Sequence, residues 1–188
     1  TIAGTLAFVT GVVQATFVFI PTFVVQQFSV TPSTASFMLT PFVLATAVGS
    51  PLFGRMIDRY GAKRIIIAGL LLLAAGFYLI AVTGTAREIY YLSGVLVGLG
   101  LSVLAGSSLR YIILNNTSHE DRATSQGMLT IFTSVGQITG TAVIGLLFAS
   151  GMEGAFGTIF RGIAVLAAVM LLLSLRLEGK VRVAESEA

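Results

Sequence analysis

The stretch Gly54-Arg55-Met56-Ile57-Asp58-Arg59-Tyr60-Gly61-Ala62-Lys63-Arg64 carries five charges in its last ten residues, four of them positive. On each side lies an uncharged run of about twenty residues, enough at 1.5 Å per residue to cross a hydrocarbon core of about 30 Å. A short, mostly basic hinge between two such runs belongs to a chain that leaves a bilayer and turns straight back into it. Its charges also report which way the chain is threaded.

Composition agrees. Hydrophobic residues make up 55% of the 188 residues and charged residues only 10%, with a mean hydropathy of +0.95. Soluble domains carry roughly 25% charged residues, so the polar material needed to coat a water-soluble globule is missing. The net charge of +3 is confined to a few hinges and forms no basic face interleaved with aromatics, which argues against nucleic acid as a partner. The absence of Cys removes disulfides, thiol catalysis and zinc-thiolate sites. One His and no His-Glu-x-x-His run leave no basis for a metal centre, and no cofactor motif is present. Without clustered His, Cys or an intramembrane Asp pair, no catalytic residues can be named and an enzyme is disfavoured.

Six spans are expected, at about 3–25, 33–53, 65–84, 89–109, 123–150 and 155–175. Pro21 breaks the first, Pro41 lies inside the second and Pro51 near its end. The runs are continuous and about twice the length of a barrel strand, so the fold class is an all-α membrane bundle of six transmembrane helices. This bundle fills 1–176, and 177–188 form a tail. Short hinges at 26–32, 87–88, 115–122 and 151–154 make neighbouring spans antiparallel and put both chain ends on one side. Arg55, Arg59, Lys63, Arg64, Arg110, Arg122, Arg176, Lys180 and Arg182 fall on that side, nine cations against Arg87 and Arg161 on the other. The nine-cation side is therefore expected to be cytoplasmic, with the C-terminus. The chain opens at Thr1 without a basic leader or a small-residue cleavage site, so a preceding segment is expected and a signal peptide is not. The acidic end Glu185–Ala188 reads as a natural C-terminus.

Within the hinge, Gly54 and Gly61 allow close approach and tight turning, while Arg59, Lys63 and Arg64 suit anionic headgroups. Asp58, a carboxylate among four cations, needs a partner. One candidate is Arg110 at the end of the fourth span. The other is the positive N-terminal end of the fifth, where Thr117 with Glu120, or Ser118 with Asp121, can form a capping box.

The pattern Gly54-x-x-x-Asp58-Arg59-x-Gly61-x-Lys63-Arg64 resembles the motif A loop of the major facilitator superfamily, which joins the second and third helices of a six-helix half. The resemblance covers essentially the whole chain and implies one half of such a transporter. It also implies that Gly54, Asp58, Arg59, Gly61, Lys63 and Arg64 latch the cytoplasmic side; Arg110 joins them as a candidate partner by its position alone. Three features favour a C-terminal half. The stretch Ser93–Gly100 lacks the Arg usual in the fourth helix of N-terminal halves. The stretch Gly136-Gln137-Ile138-Thr139-Gly140-Thr141-Ala142-Val143-Ile144-Gly145 resembles the antiporter motif C without its Pro. The chain also ends soon after its sixth span. The runs Phe37–Pro41 and Glu120–Gly127 are most similar to the fourteen-span drug/proton antiporters. The missing N-terminal half, protons and membrane lipids are the implied partners.

No Asp, Glu, Lys, Arg or His lies in the middle of any span, and such groups are where proton relays normally sit. A coupling acid is therefore expected in the other half. Polar stripes run along two spans: Gln126, Thr130, Ser134, Gln137 and Thr141 on the fifth, and Thr10, Gln14, Phe17 and Pro21 on the first. Gln14, Phe17, Thr130, Ser134 and Gln137 are the candidate substrate-cavity residues, because amides, hydroxyls and an aromatic suit amphipathic organic solutes. The same stripes can instead be interhelical hydrogen bonding, worth about 0.6 kcal/mol per contact. Gly94 with Gly98 and Gly136 with Gly140 are spaced for close helix packing. The resemblance implies a plasma-membrane secondary transporter that exports small amphipathic molecules by alternating access, in exchange for protons. A sugar or metabolite carrier of the same superfamily and a non-transporting six-span scaffold are the alternatives.

Overall fold

A computed structural model describes residues 2–83, 86–105, 121–149 and 155–175. Arg110, residues 115–120, the connection at 151–154 and the tail 177–188 lie outside the described residues. The described chain is all helical: α1 (Ile2–Phe28), α2 (Pro32–Met38), α3 (Thr40–Tyr60), α4 (Ala62–Thr83), α5 (Arg87–Val103), α6 (Arg122–Ala149) and α7 (Ala155–Leu175). α2 and α3 are two parts of one apolar rod, so the seven segments make six rods. Among the described residues, α1, the α2–α3 rod, α4 and α6 are long and apolar enough to cross a membrane. The apolar stretch Phe156–Leu172 of α7 is shorter.

Three local features differ from the sequence expectation. Pro21 does not break α1, which runs on to Phe28. One missing N–H inside a long helix is tolerated where neighbouring helices hold the rod in place. The second rod is interrupted at Leu39, whose N–H reaches Ser36 O at 3.2 Å and whose carbonyl accepts from Val43 N at 3.1 Å. α3 then starts afresh, with Pro41 in its first turn, where its absent N–H has no intrahelical partner to lose. Thr31 caps α2 by accepting from Thr34 N at 3.3 Å. The third difference is at the other end of α3, which continues to Tyr60. The basic hinge is therefore a single residue, Gly61. Gly54, Asp58 and Arg59 lie inside α3, while Lys63 and Arg64 open α4.

Backbone-close contacts hold the rods in pairs. α1 packs along α6 through Gly11, which faces Thr133 O and Gln137 N, and through Gly136, which faces the Phe8 carbonyl. α5 sits between α3 and α4: Gly98 faces Phe42 O, and Gly100 faces Gly69 O. Thr46 Oγ1 adds an interhelical bond to Gly98 O at 3.3 Å. α7 packs on α4 instead through bulky side chains, with the Phe77 and Phe160 rings 6.1 Å apart. At the end away from the basic turn, Phe23 joins α1 to α7 through Phe156 at 4.8 Å and Phe160 at 5.0 Å. Tyr90 of α5 meets Phe28 there at 5.6 Å. α1 and α4 bury 50% and 44% of their apolar windows, against 22% for the α2–α3 rod and 17% for α6. The large open faces of the bundle therefore belong to α3 and α6.

Candidate functional site

The basic turn is the first candidate. Gly61 closes α3 with φ 84° and ψ 149°, and its N–H donates to Ile57 O at 2.8 Å. That backbone conformation is essentially restricted to glycine, so the residue allows one helix to stop and the next to start without a loop. Arg55, Asp58, Arg59 and Arg64 are exposed around the turn, and Lys63 is half-buried. The Arg59 guanidinium lies 5.5 Å from the centre of the Tyr60 ring. Among the described residues no hydrogen bond or ion pair reaches the Asp58 carboxylate. Arg110, Thr117, Ser118 and Glu120, the partners expected from the sequence, lie outside the described residues.

The second candidate is the flank of the α1–α6 pair. Gly4 faces the Phe132 ring, Gly11 faces Thr133 and Gln137, and Gly140 faces Val12 and Ala15. Further along, Phe19 stacks on Phe148 at 5.5 Å. Residue numbers rise together on both helices, so the pair is parallel. At about 100° per residue, these contacts fix where every other position sits. Gln14 lies on the same side of the pair as Gln126, Thr130, Ser134, Gln137 and Thr141. The opposite side of α6 carries Ser125, Met128 and Phe132. Gln14 is half-buried, whereas Thr130, Ser134 and Gln137 are exposed.

The rest of the expected α1 stripe behaves differently. Thr10 is buried and donates to Leu6 O at 2.7 Å within its own helix. Phe17 points away from α6 and stacks on Phe42 of α3 at 4.3 Å. The hydroxyls of α6 largely satisfy themselves on the preceding turn, as Thr130 does with Gln126 O at 3.1 Å and Thr133 with Leu129 O at 2.9 Å. That leaves the amides of Gln14, Gln126 and Gln137 as the groups on this flank best able to reach a solute. Gly4 and Gly11 were not singled out by sequence reasoning. Their spacing, with Ala15 four residues further on, was the available signal for a close-packed face.

An all-helical bundle of apolar rods with a basic glycine turn between its second and third rods is the architecture of one class of membrane protein. The Major Facilitator Superfamily profile matches residues 2–188, and the chain belongs to that family. Its described residues form the all-helical bundle expected of one membrane half of that fold. Three relatives give the neighbourhood. Multidrug resistance protein 2 of Bacillus subtilis is 30% identical over 137 residues, 73% of this chain and 34% of its own. The uncharacterized MFS-type transporter YfiU of Bacillus subtilis is 26% identical over 131 residues, 70% of this chain and 25% of its own. The tetracenomycin C resistance and export protein of Streptomyces glaucescens is 31% identical over 142 residues, 73% of this chain and 26% of its own. The chain thus spans between about a quarter and a third of the length of these relatives.

Proposed function

We propose that this chain is part of a secondary transporter that exports small amphipathic organic molecules by alternating access, in exchange for protons. The observation that carries the reading is the similarity to relatives named for multidrug resistance and for tetracenomycin C export. The shared flank of Gln14 and Gln137 supports it, because amides on an otherwise apolar wall offer hydrogen bonds to varied solutes without demanding a charge. The open faces of α3 and α6 receive the other half of the transporter, and the two halves rock about a midplane site. The turn at Gly61, with Asp58, Arg59, Lys63 and Arg64, acts as the latch on the cytoplasmic side of the plasma membrane, where the C-terminus also lies. Because no ionisable residue lies mid-span here, the proton-coupling acid belongs to the other half.

Dye efflux from cells carrying the full-length protein, with and without a protonophore, tests this reading. Expression should lower retained dye, and the protonophore should abolish the difference. Efflux indifferent to the protonophore refutes proton exchange, and the absence of efflux refutes export.

A further inference from the structure

On the flank of the α1–α6 pair opposite Gln137 there is a cavity of about 610 Å³, near the start of both helices. Ala3, Gly4, Thr5 and Phe8 line it from α1, and Ser125, Met128, Leu129 and Phe132 from α6. The volume is that of a site for a drug-sized molecule. We propose that it is a second ligand site, distinct from the Gln14–Gln137 flank, which takes a planar aromatic amphipathic solute on the side of the bundle that carries the basic turn. The proposal rests on the export reading above and extends it to a particular substrate class.

The chemistry of the walls selects the occupant. Phe8 and Phe132 offer ring surfaces that favour offset-stacked or edge-on contact with another ring. Met128 adds a polarizable thioether suited to aromatic contact. The Ser125 hydroxyl supplies hydrogen-bonding capacity to the polar end of a solute. A saturated lipid chain has neither a flat face nor a polar group to use these features. Gly4 sets the depth of the site, since a Cβ there would stand 3.3 Å from the Phe132 ring edge, at Cε2. A larger side chain at that position would displace the Phe132 ring into the space that an aromatic solute occupies. Glycine here therefore lets the Phe132 ring lie against α1 as a wall of the site, whereas Gly11 and Gly136 let backbones touch.

The test is binding, read separately from transport. Full-length protein in nanodiscs of phosphatidylethanolamine and phosphatidylglycerol is titrated with rhodamine 6G by fluorescence anisotropy. Two filling variants are compared, Gly4→Leu from α1 and Met128→Phe from α6, with Gly4→Ala as the mild control. Each filling variant should weaken dye affinity about tenfold, the loss of roughly one aromatic contact, and Gly4→Ala should change it less than threefold. Should Gly4→Leu fail to fold, Met128→Phe carries the test alone. Unchanged affinity in a folded filling variant overturns the site. So does native mass spectrometry in which filling expels a bound phospholipid while dye affinity stays the same, because that result gives the cavity to lipid. Dye that binds with the expected variant pattern in a protein showing no efflux leaves the site standing and refutes the export reading instead.

Discussion

Replacing Gly136 with Ala should separate the two helices on which the proposed solute sites are built. A Cβ at this position collides with the Phe8 carbonyl oxygen and stands 2.8 Å from its carbon and 3.0 Å from Phe8 Cα. Ordinary van der Waals contact begins at 3.4 Å. All three atoms are backbone, so no rotamer change can relieve the clash and α1 must move away from α6. A separation of about 1 Å forfeits a quarter to a half of the dispersion attraction of the contacts it opens. Overpacking of this kind costs about 1–3 kcal/mol. Gly145→Ala on the same helix is the control, because nothing lies within 4 Å of its Cβ. There alanine should gain up to about 1 kcal/mol from helix propensity. The two single-methyl changes should therefore act in opposite directions and differ by about 1–4 kcal/mol. Denaturant titration of the full-length protein in micelles, followed by circular dichroism, measures that difference. Equal midpoints for the two variants would refute backbone contact as the basis of the α1–α6 seam.

Three further outcomes are expected. Gly61→Ala should cost about 1–3 kcal/mol from backbone strain alone, since nothing lies within 4 Å of the added methyl; an unchanged unfolding midpoint would mean the turn relaxes to another conformation. Phe160→Ala removes a ring that is 2% exposed and meets Phe23 at 5.0 Å and Phe77 at 6.1 Å. The loss should be about 3–5 kcal/mol by the same titration, whereas a change under 1 kcal/mol would count against this ring as the joint between α7 and the bundle. Asp58→Asn should shift the full-length transporter towards inward-facing states, lengthening spin-label distances across the cytoplasmic mouth; unaltered distances with normal transport would remove Asp58 from the latch.

The rods themselves were legible, because apolar continuity over twenty residues has few readings in a chain with so little charge. Their ends were not. Pro41 looked like a mid-span bend, yet it opens α3 after a break at Leu39, and periodicity alone cannot distinguish a kink from a restart. The Gly54–Arg64 stretch looked like a loop because charge clusters there. Charged residues are equally at home on helix turns that project past the hydrocarbon, and only Gly61 breaks the run. The pairing of Gly136 and Gly140 with a close neighbour was readable from their spacing, but the identity of that neighbour was not. α1 lies more than a hundred residues away in the chain, and sequence spacing carries no information about which rods meet. For the same reason Thr10 and Phe17 resembled members of one polar stripe with Gln14. Each in fact answers to a different surrounding: Thr10 to its own preceding turn, and Phe17 to Phe42 across the gap to α3.

The parallel glycine seam has a bearing on how the chain reaches its final form. Gly11 and Gly136 are 125 residues apart, so the first rod enters the bilayer long before its mate exists. At synthesis rates of about 5–20 residues per second, that side of the first rod waits roughly 6–25 seconds in lipid or against an assembly factor. The order of manufacture thus leaves the most intimate contact of the bundle until near the end. A slowed ribosome anywhere between the two glycines would prolong the interval in which the first rod can find the wrong companion.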